Sequence, residues 1–329
     1  DFRSVTITEI VMINKILKRK AKRVYPAAVE GKFFHRAGIA WKQFAAWADR
    51  SVGYQNRKIL SKNTRTINDQ IMFITFQHAY ACNPRYICRE LVRRQAPVKI
   101  VWAVSNLIDR NGVPEADNIT LVKMNSYEYF EAACSSKIIV INSLLGDKFY
   151  PFPVRDDQMV YETWHGSLGI KRFDPEHYNT NESWPVAAER TGKLTTKCIT
   201  NSKFEEDVFH ETFWPDTPML RLGHARNDVF FDSYKKTRER WRKEFITDYA
   251  LDEDSKFILY APTFRDTHNF AVYDIQADRL VNTMSRRFGG KWKLLVRYHD
   301  NDKKNEVVNN RVISENVIDV TRFPDIQML

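Results

Sequence analysis

The chain has 329 residues, 43% hydrophobic and 28% charged, with a formal net charge of +10. Those proportions exclude a disordered or fibrous chain and supply more apolar surface than one small core can use, so two domains are expected. No run of about 18 apolar residues could span a bilayer and the sequence does not open on a secretory-type apolar stretch, so a cytoplasmic-side location is expected.

The positive charge is concentrated at one end. Residues 1–66 carry fifteen Lys and Arg against four Asp and Glu, whereas the remainder carries 36 against 37. Lys15, Lys18, Arg19, Lys20, Lys22 and Arg23 precede Phe33, Phe34, Trp41, Phe44 and Trp47. Basic side chains near an anionic leaflet contribute about 1 kcal/mol each, and Trp and Phe suit the interfacial boundary. Residues 1–66 are therefore read as a basic, aromatic, helical segment that binds an anionic membrane surface peripherally. The competing reading packs the aromatics on the next domain and leaves the charges solvated. No RNA-binding or helix-turn-helix signature accompanies the charge, so nucleic acid is not expected as a partner.

After Thr66 short apolar runs alternate with helical patterns. Strands are predicted over 71–76, 98–104, 119–123, 138–142, 159–163, 197–200 and 219–222, with helices over 84–94, 127–134 and 203–210. A charged helix over 234–249 opens a second series: strand 257–260, helix 275–288, strand 294–298 and a short strand 317–320. This alternation predicts βαβ units and mostly parallel sheets in an α/β fold, with domains at 67–228 and 229–329. The last residues, from Phe323 to Leu329, read as a helix start with Pro324 in its first turn. About three strands cannot close a second Rossmann-like core, so the second domain is expected to be incomplete within these residues.

Two histidines, His165 and His299, each follow a predicted strand. In open α/β sheets strand C-termini face the ligand crevice, so both imidazoles are candidates for proton transfer or phosphate handling. His35, His78, His177, His210, His224 and His268 show no metal-ligand spacing and the aspartates form no DxD cluster, so no catalytic metal is expected. Cys82, Cys88, Cys134 and Cys198 form no CxxC pair and read as buried free thiols.

Four motifs in order carry a resemblance. Thr163-Trp164-His165-Gly166-Ser167 resembles the "TWHGT" motif of the CDP-glycerol glycerophosphotransferase family, which includes teichoic-acid primases and polymerases and related capsule polymerases. Leu222-Gly223-His224-Ala225-Arg226-Asn227-Asp228 is similar to its "GxPRND". Leu259-Tyr260-Ala261-Pro262-Thr263-Phe264-Arg265-Asp266 is similar to its "YAPTxRD", and Leu295-Val296-Arg297-Tyr298-His299 to its "KxHP". The stretch ending Cys82-Asn83-Pro84 also resembles the family's first strand and loop. The matches cover roughly residues 68–329. Departures are Ser167-Leu168-Gly169-Ile170-Lys171 for Thr-Pro-Leu-Lys, and Ala225 and Asp300 for the usual prolines. The family's "DYSS" segment would fall beyond Leu329, so these residues alone are expected to be inactive or impaired.

The resemblance implies a GT-B-like architecture of two facing Rossmann-like domains, acceptor on the first and nucleotide on the second. It implies transfer of an alditol phosphate, glycerol phosphate foremost, from CDP-glycerol or CDP-ribitol to a polyol-phosphate or glycan acceptor, with release of CMP and no cofactor beyond the donor. The setting would be teichoic-acid-like or capsule polymer synthesis at the cytoplasmic face of the cell membrane. Phosphoryl transfer rests on positioning and electrostatics, which suits the residue types present. His165 is the candidate general base and His299 the donor to the pyrophosphate or leaving CMP. Arg265 and Arg297 are candidate phosphate clamps, with Thr263 beside them and Gly166 and Ser167 offering backbone N–H groups. Arg226, Asn227 and Asp228 are read as substrate-binding or as an interdomain cap. Two other classes compete: a GT-B nucleotide-sugar glycosyltransferase, and a non-catalytic acceptor-binding or membrane-docking module.

Overall fold

The computed structural model describes Lys62 and residues 64–76, 79–107, 112–145, 152–166, 183–263, 275–299, 314–323 and 325–329. The basic aromatic segment expected over 1–66 lies almost wholly outside the described residues, as do Ser167 and Arg265. The chain divides into two compact units, Asp1–Asn63 and Thr64–Leu329, and the second holds every strand described below.

Seven strands form the larger sheet: β1 (Ile67–Ile74), β2 (Lys99–Val104), β3 (Ile119–Lys123), β4 (Ser136–Ile141), β5 (Met159–Glu162), β6 (Lys197–Thr200) and β7 (Met219–Arg221). Their order is β3-β2-β1-β4-β5-β6-β7 and every pairing is parallel. Helices α1 (Cys82–Arg93), α2 (Tyr127–Ser135), α3 (Ser183–Leu194) and α4 (Lys203–His210) lie between successive strands. Both faces of the central strands are buried, as a parallel sheet with crossover helices requires. Met72, Ile74, Val101 and Ile139 pack with Tyr129, Ala132 and Ala133 of α2, whereas Ile71, Phe73, Ile100 and Trp102 pack with Cys88 of α1. Neighbouring residues of one strand thus serve opposite layers.

A smaller parallel sheet, ordered β10-β9-β8, contains β8 (Lys256–Tyr260), β9 (Trp292–Val296) and β10 (Val317–Asp319). Helix α5 (Lys235–Asp248) covers one face through Phe245 against Leu295, Ile318 and Val320. Helix α6 (Ala277–Phe288) covers the other through Val281 against Leu294 and Val296. Among the described residues no helix is long and apolar enough to cross a membrane. Cys88, Cys134 and Cys198 are buried free thiols and Cys82 is half-buried.

Several expectations need correction. The helix Ser183–Leu194 was not anticipated from the sequence; Gly192 and Thr191 near its end weaken the helical signal, yet the Gly192 backbone packs close against the Phe213 carbonyl. The expected helix start at 323–329 is a single 3₁₀ turn, Ile326–Met328, opened by Asp325, whose side chain accepts the Gln327 N–H. Strand β9 ends at Val296 rather than 298, and β5 at Glu162 rather than 163: the Tyr298 N–H donates to the Thr321 hydroxyl instead of a strand carbonyl, and Trp164 leaves the extended region at φ +46°. Asn227 and Asp228 do not cap an α-helix. They lie inside a 3₁₀ helix, Ala225–Phe230, whose N-cap His224 makes no side-chain capping bond.

Candidate active site

The order of the larger sheet reverses between β1 and β4, and crevices at such a switch point, outside the strand C-termini, are where open α/β sheets bind ligands. Three segments leave the sheet there. After β1, the Phe76 N–H donates to Asn142 Oδ1 at 2.8 Å; Asn142 follows β4 and is buried. After β5 comes His165, exposed, with Nδ1 2.6 Å from the Asn142 carbonyl oxygen. A carbonyl can only accept, so Nδ1 carries the hydrogen and Nε2 is the basic nitrogen of the ring. The ring lies parallel to Phe76, centroids 5.4 Å apart, and 4.4 Å from the Trp164 ring. A carbonyl on one edge and two aromatic rings thus fix the tautomer and limit the ring's rotation.

The turn that delivers His165 is strained. Trp164 has φ +46°, a left-handed backbone that costs a non-glycine residue about 1–3 kcal/mol. Cys82, at the start of α1, has φ +58°, and its Sγ lies 4.0 Å from the Trp164 carbonyl oxygen. Three contacts hold the turn. The indole is buried against Trp214, edge to face at 5.3 Å. The Trp164 N–H donates to Glu162 Oε1 at 2.7 Å. Asn83 Nδ2 donates to the carbonyls of Thr163 and Trp164 at 2.9 and 3.1 Å. Arg226 then closes over the turn: its Nη1 donates to the His165 carbonyl at 2.8 Å and to Cys82 Sγ at 3.1 Å. A guanidinium is therefore anchored on the backbone that carries the imidazole, where it can face an anionic substrate.

The structure brings His165, Gly166 and Arg226 together at this crevice. The Asn227 N–H donates to the His224 carbonyl one turn away, and the Asp228 carboxyl is raised by partial burial and by the Glu90 charge. Thr263 and His299, both exposed, follow β8 and β9 of the smaller sheet, and Arg297 lies between β9 and His299. Arg297 Nη1 donates to the carbonyls of Val320 and Phe323 at 3.0 and 2.6 Å, so that nitrogen pins the turn after β10. Among the described residues no three His, Cys, Asp or Glu side chains are grouped to hold a metal ion.

Asn83, Asn142 and Glu162 were not among the expected site residues. Asn83 stands in the Cys82-Asn83-Pro84 stretch that resembles the family's first loop, and Glu162 stands out as an acid inside an apolar strand. It is fully buried, and burial pushes its pKa up to about 8 against the pull of the Trp164 and Thr163 N–H groups. The folded chain therefore keeps a proton that the unfolded chain loses near pH 4.5. Between those values the unfolded state binds fewer protons, so stability falls as pH rises, by about 1.4 kcal/mol per unit. Below pH 4.5 the contribution is complete; above about 8 it is gone. Glu162→Gln, always neutral, should remove this component. Denaturant midpoints measured from pH 5 to 8 should diverge, the variant gaining on the wild type as pH rises, and parallel curves would contradict a buried protonated acid.

Comparison with known proteins places these residues in context. The sequence profile described as CDP-Glycerol:Poly(glycerophosphate) glycerophosphotransferase matches residues 57–329. A teichoic acid poly(glycerol phosphate) polymerase of Staphylococcus epidermidis is 25% identical over 234 residues, covering 67% of this chain and 30% of the relative. A teichoic acid poly(ribitol-phosphate) polymerase of Bacillus spizizenii is 27% identical over 213 residues, covering 63% of this chain and 32% of the relative. The chain thus spans about a third of the length of these relatives. The solved wall teichoic acid polymerase TagF superposes with a TM-score of 0.66 at 22% identity, over 91% of this chain and 73% of that one. A variant of it soaked with CDPG gives a TM-score of 0.67 at 22% identity, over 87% of this chain and 71% of that one. At such identity the likeness establishes a shared α/β fold with a large parallel sheet.

Proposed function

Because the chain belongs to the CDP-glycerol:poly(glycerophosphate) glycerophosphotransferase family, we propose that it transfers glycerol phosphate from CDP-glycerol to a hydroxyl of a growing polyol-phosphate acceptor in teichoic-acid-type polymer synthesis. The observation that carries this reading is His165: an exposed imidazole at the sheet's switch point with its Nδ1–H committed to the Asn142 carbonyl and the Arg226 guanidinium bonded to the His165 main-chain carbonyl. In the reaction, His165 Nε2 takes the proton of the acceptor hydroxyl as its oxygen bonds to the β-phosphorus. The bond from that phosphorus to the oxygen bridging to the α-phosphate breaks, and CMP departs with the electron pair. A general base so placed contributes about 10²–10⁴-fold. Arg226 offsets charge on the phosphate oxygens from the first lobe.

We assign the acceptor to residues 67–228 and the nucleotide to 229–329, in a GT-B-like arrangement. His299 would protonate the leaving phosphate, with Arg297, Arg265 and Thr263 contacting the diphosphate and Gly166 and Ser167 lending N–H groups. Residues 1–66 would hold the protein peripherally at the anionic cytoplasmic face of the membrane. The chemistry requires no cofactor.

The full-length protein should be incubated with CDP-glycerol, CDP-ribitol and a UDP-sugar, each with and without a polyol-phosphate acceptor, and the nucleotide products separated. Acceptor-dependent CMP from CDP-glycerol is expected. Release of a nucleoside diphosphate would instead favour a glycosyltransferase, and acceptor binding without turnover a non-catalytic module.

A further inference from the structure

Beneath the Trp164 turn, three buried side chains from three segments form a continuous hydrogen-bonded series that the proposed chemistry does not use. Asn83 is 1% exposed, His224 3% and Glu205 2%. Asn83 Nδ2, already donating to the Thr163 and Trp164 carbonyls, lies 3.3 Å from His224 Nδ1, and Asn83 Oδ1 accepts the Arg226 N–H at 3.2 Å. His224 Nε2 lies 3.0 Å from Glu205 Oε1, and Glu205 Oε2 accepts the Asn201 N–H at 2.6 Å.

The main chain dictates every role in this series. Two carbonyls can only accept and the Arg226 amide can only donate, so the Asn83 amide has one permissible orientation. Its NH₂ then faces His224 Nδ1, which must accept. His224 Nε2 carries the hydrogen and donates it to the Glu205 carboxylate. A hydrogen on Nδ1 would meet the Asn83 NH₂ head on. One amide therefore grips both sides of the crevice: the strained backbone that carries His165, and the backbone of Arg226. The ring and carboxylate behind it fix which way that amide points.

We infer that Glu205, His224 and Asn83 are positioning residues for the transfer reaction, setting the orientation of the Trp164 turn so that His165 and Arg226 meet the reacting groups in a single arrangement. The inference rests on the reaction assigned above. Small displacements of a reacting group cost turnover far more than binding, so the loss should appear in kcat. His224→Gln is the informative conservative change: its carbonyl can accept from Asn83 while its NH₂ donates to Glu205.

The test uses the full-length protein and the variants Asn83→Ala, His224→Ala and His224→Gln. Steady-state rates with CDP-glycerol are measured alongside ¹⁵N spectra of the His165 ring. In both alanine variants kcat should fall about tenfold to a hundredfold with KM for the donor within about twofold. The His165 nitrogens should move from the pattern of one fixed tautomer toward that of an exchanging pair. His224→Gln should restore most of both. Folded variants with unaltered His165 resonances and near-wild-type kcat would overturn the inference, as would a change confined to KM. Should His224→Ala fail to fold, Asn83→Ala and His224→Gln still decide it. If the wild type itself releases no CMP, the assigned reaction fails, and the ring spectra of Asn83→Ala alone settle whether the turn is held in this way.

Discussion

Replacing His165 by alanine should lower turnover of the full-length protein by about a hundredfold to ten-thousandfold, with kcat and kcat/KM falling together. The equal fall is the diagnostic part. Proton transfer from the acceptor hydroxyl is made only on the way to the transition state, so its loss leaves ground-state binding of the donor nearly intact. Stability should change little, because the ring is exposed and its stack on Phe76 is worth about 1 kcal/mol. On a chain of this size that is about one to two degrees in thermal midpoint. Rates and melting curves on the same preparation check both halves. A variant retaining near-normal kcat would remove His165 from the chemistry, and one that melts far lower would show that its loss is structural.

The second large effect is on stability. Asp325→Ala should cost about 3–5 kcal/mol, seen as a thermal midpoint lower by roughly 4–7 °C. Asp325, at the end of the smaller sheet's chain segment, accepts from Arg85 Nη1 at 2.8 Å and from the Tyr86 hydroxyl at 3.0 Å, both on α1 beneath the larger sheet. The Asp325 side chain is 3% exposed and that of Arg85 14%, so the carboxylate is buried and the guanidinium largely so. Burial and the Asp325 charge hold the Tyr86 hydroxyl well above its ordinary pKa, so it remains a donor at any physiological pH. Arg85 Nε already lacks a hydrogen-bond partner, and removing Asp325 would strand the whole guanidinium among Tyr86, Tyr80 and Met328. The cost lies in that orphaned charge more than in the lost attraction. A paired Arg85→Met, Asp325→Leu replacement should therefore recover much of the loss. An Asp325→Ala midpoint within a degree or two of wild type would show that the pair does not join the α1 layer to the smaller sheet's segment.

The sheets were legible in the sequence because a parallel strand buried on both faces reads as an unbroken apolar run; Ile71 to Ile74 and Ile138 to Ile141 are such runs. The helix Ser183–Leu194 was hidden, since the contacts that seat it, Ala188 against Trp164 and Trp214 and Gly192 close on the Phe213 backbone, are tertiary facts. His165 was legible through its strand-end position and its motif. Asn83 and His224 stand in two of the motifs, but their roles and that of Glu205 were not legible, because the bonds that define them join residues 80, 141 and 19 positions apart. Arg297 shows the converse. A cation near a strand end suggests a phosphate clamp, yet one of its nitrogens already serves the Val320 and Phe323 carbonyls, contacts that no local pattern announces.

The bond that forms can be followed directly. With CDP-glycerol and an acceptor carrying ¹⁸O in its terminal hydroxyl, attack at the β-phosphorus should leave the heavy oxygen in the new phosphodiester and release unlabelled CMP, one per unit added. Release of CDP, with the label in a carbon–oxygen–carbon ether and none bonded to phosphorus, would mean that the acceptor attacks the alditol rather than the phosphorus, and the assignment of this chain as a phosphotransferase would be wrong.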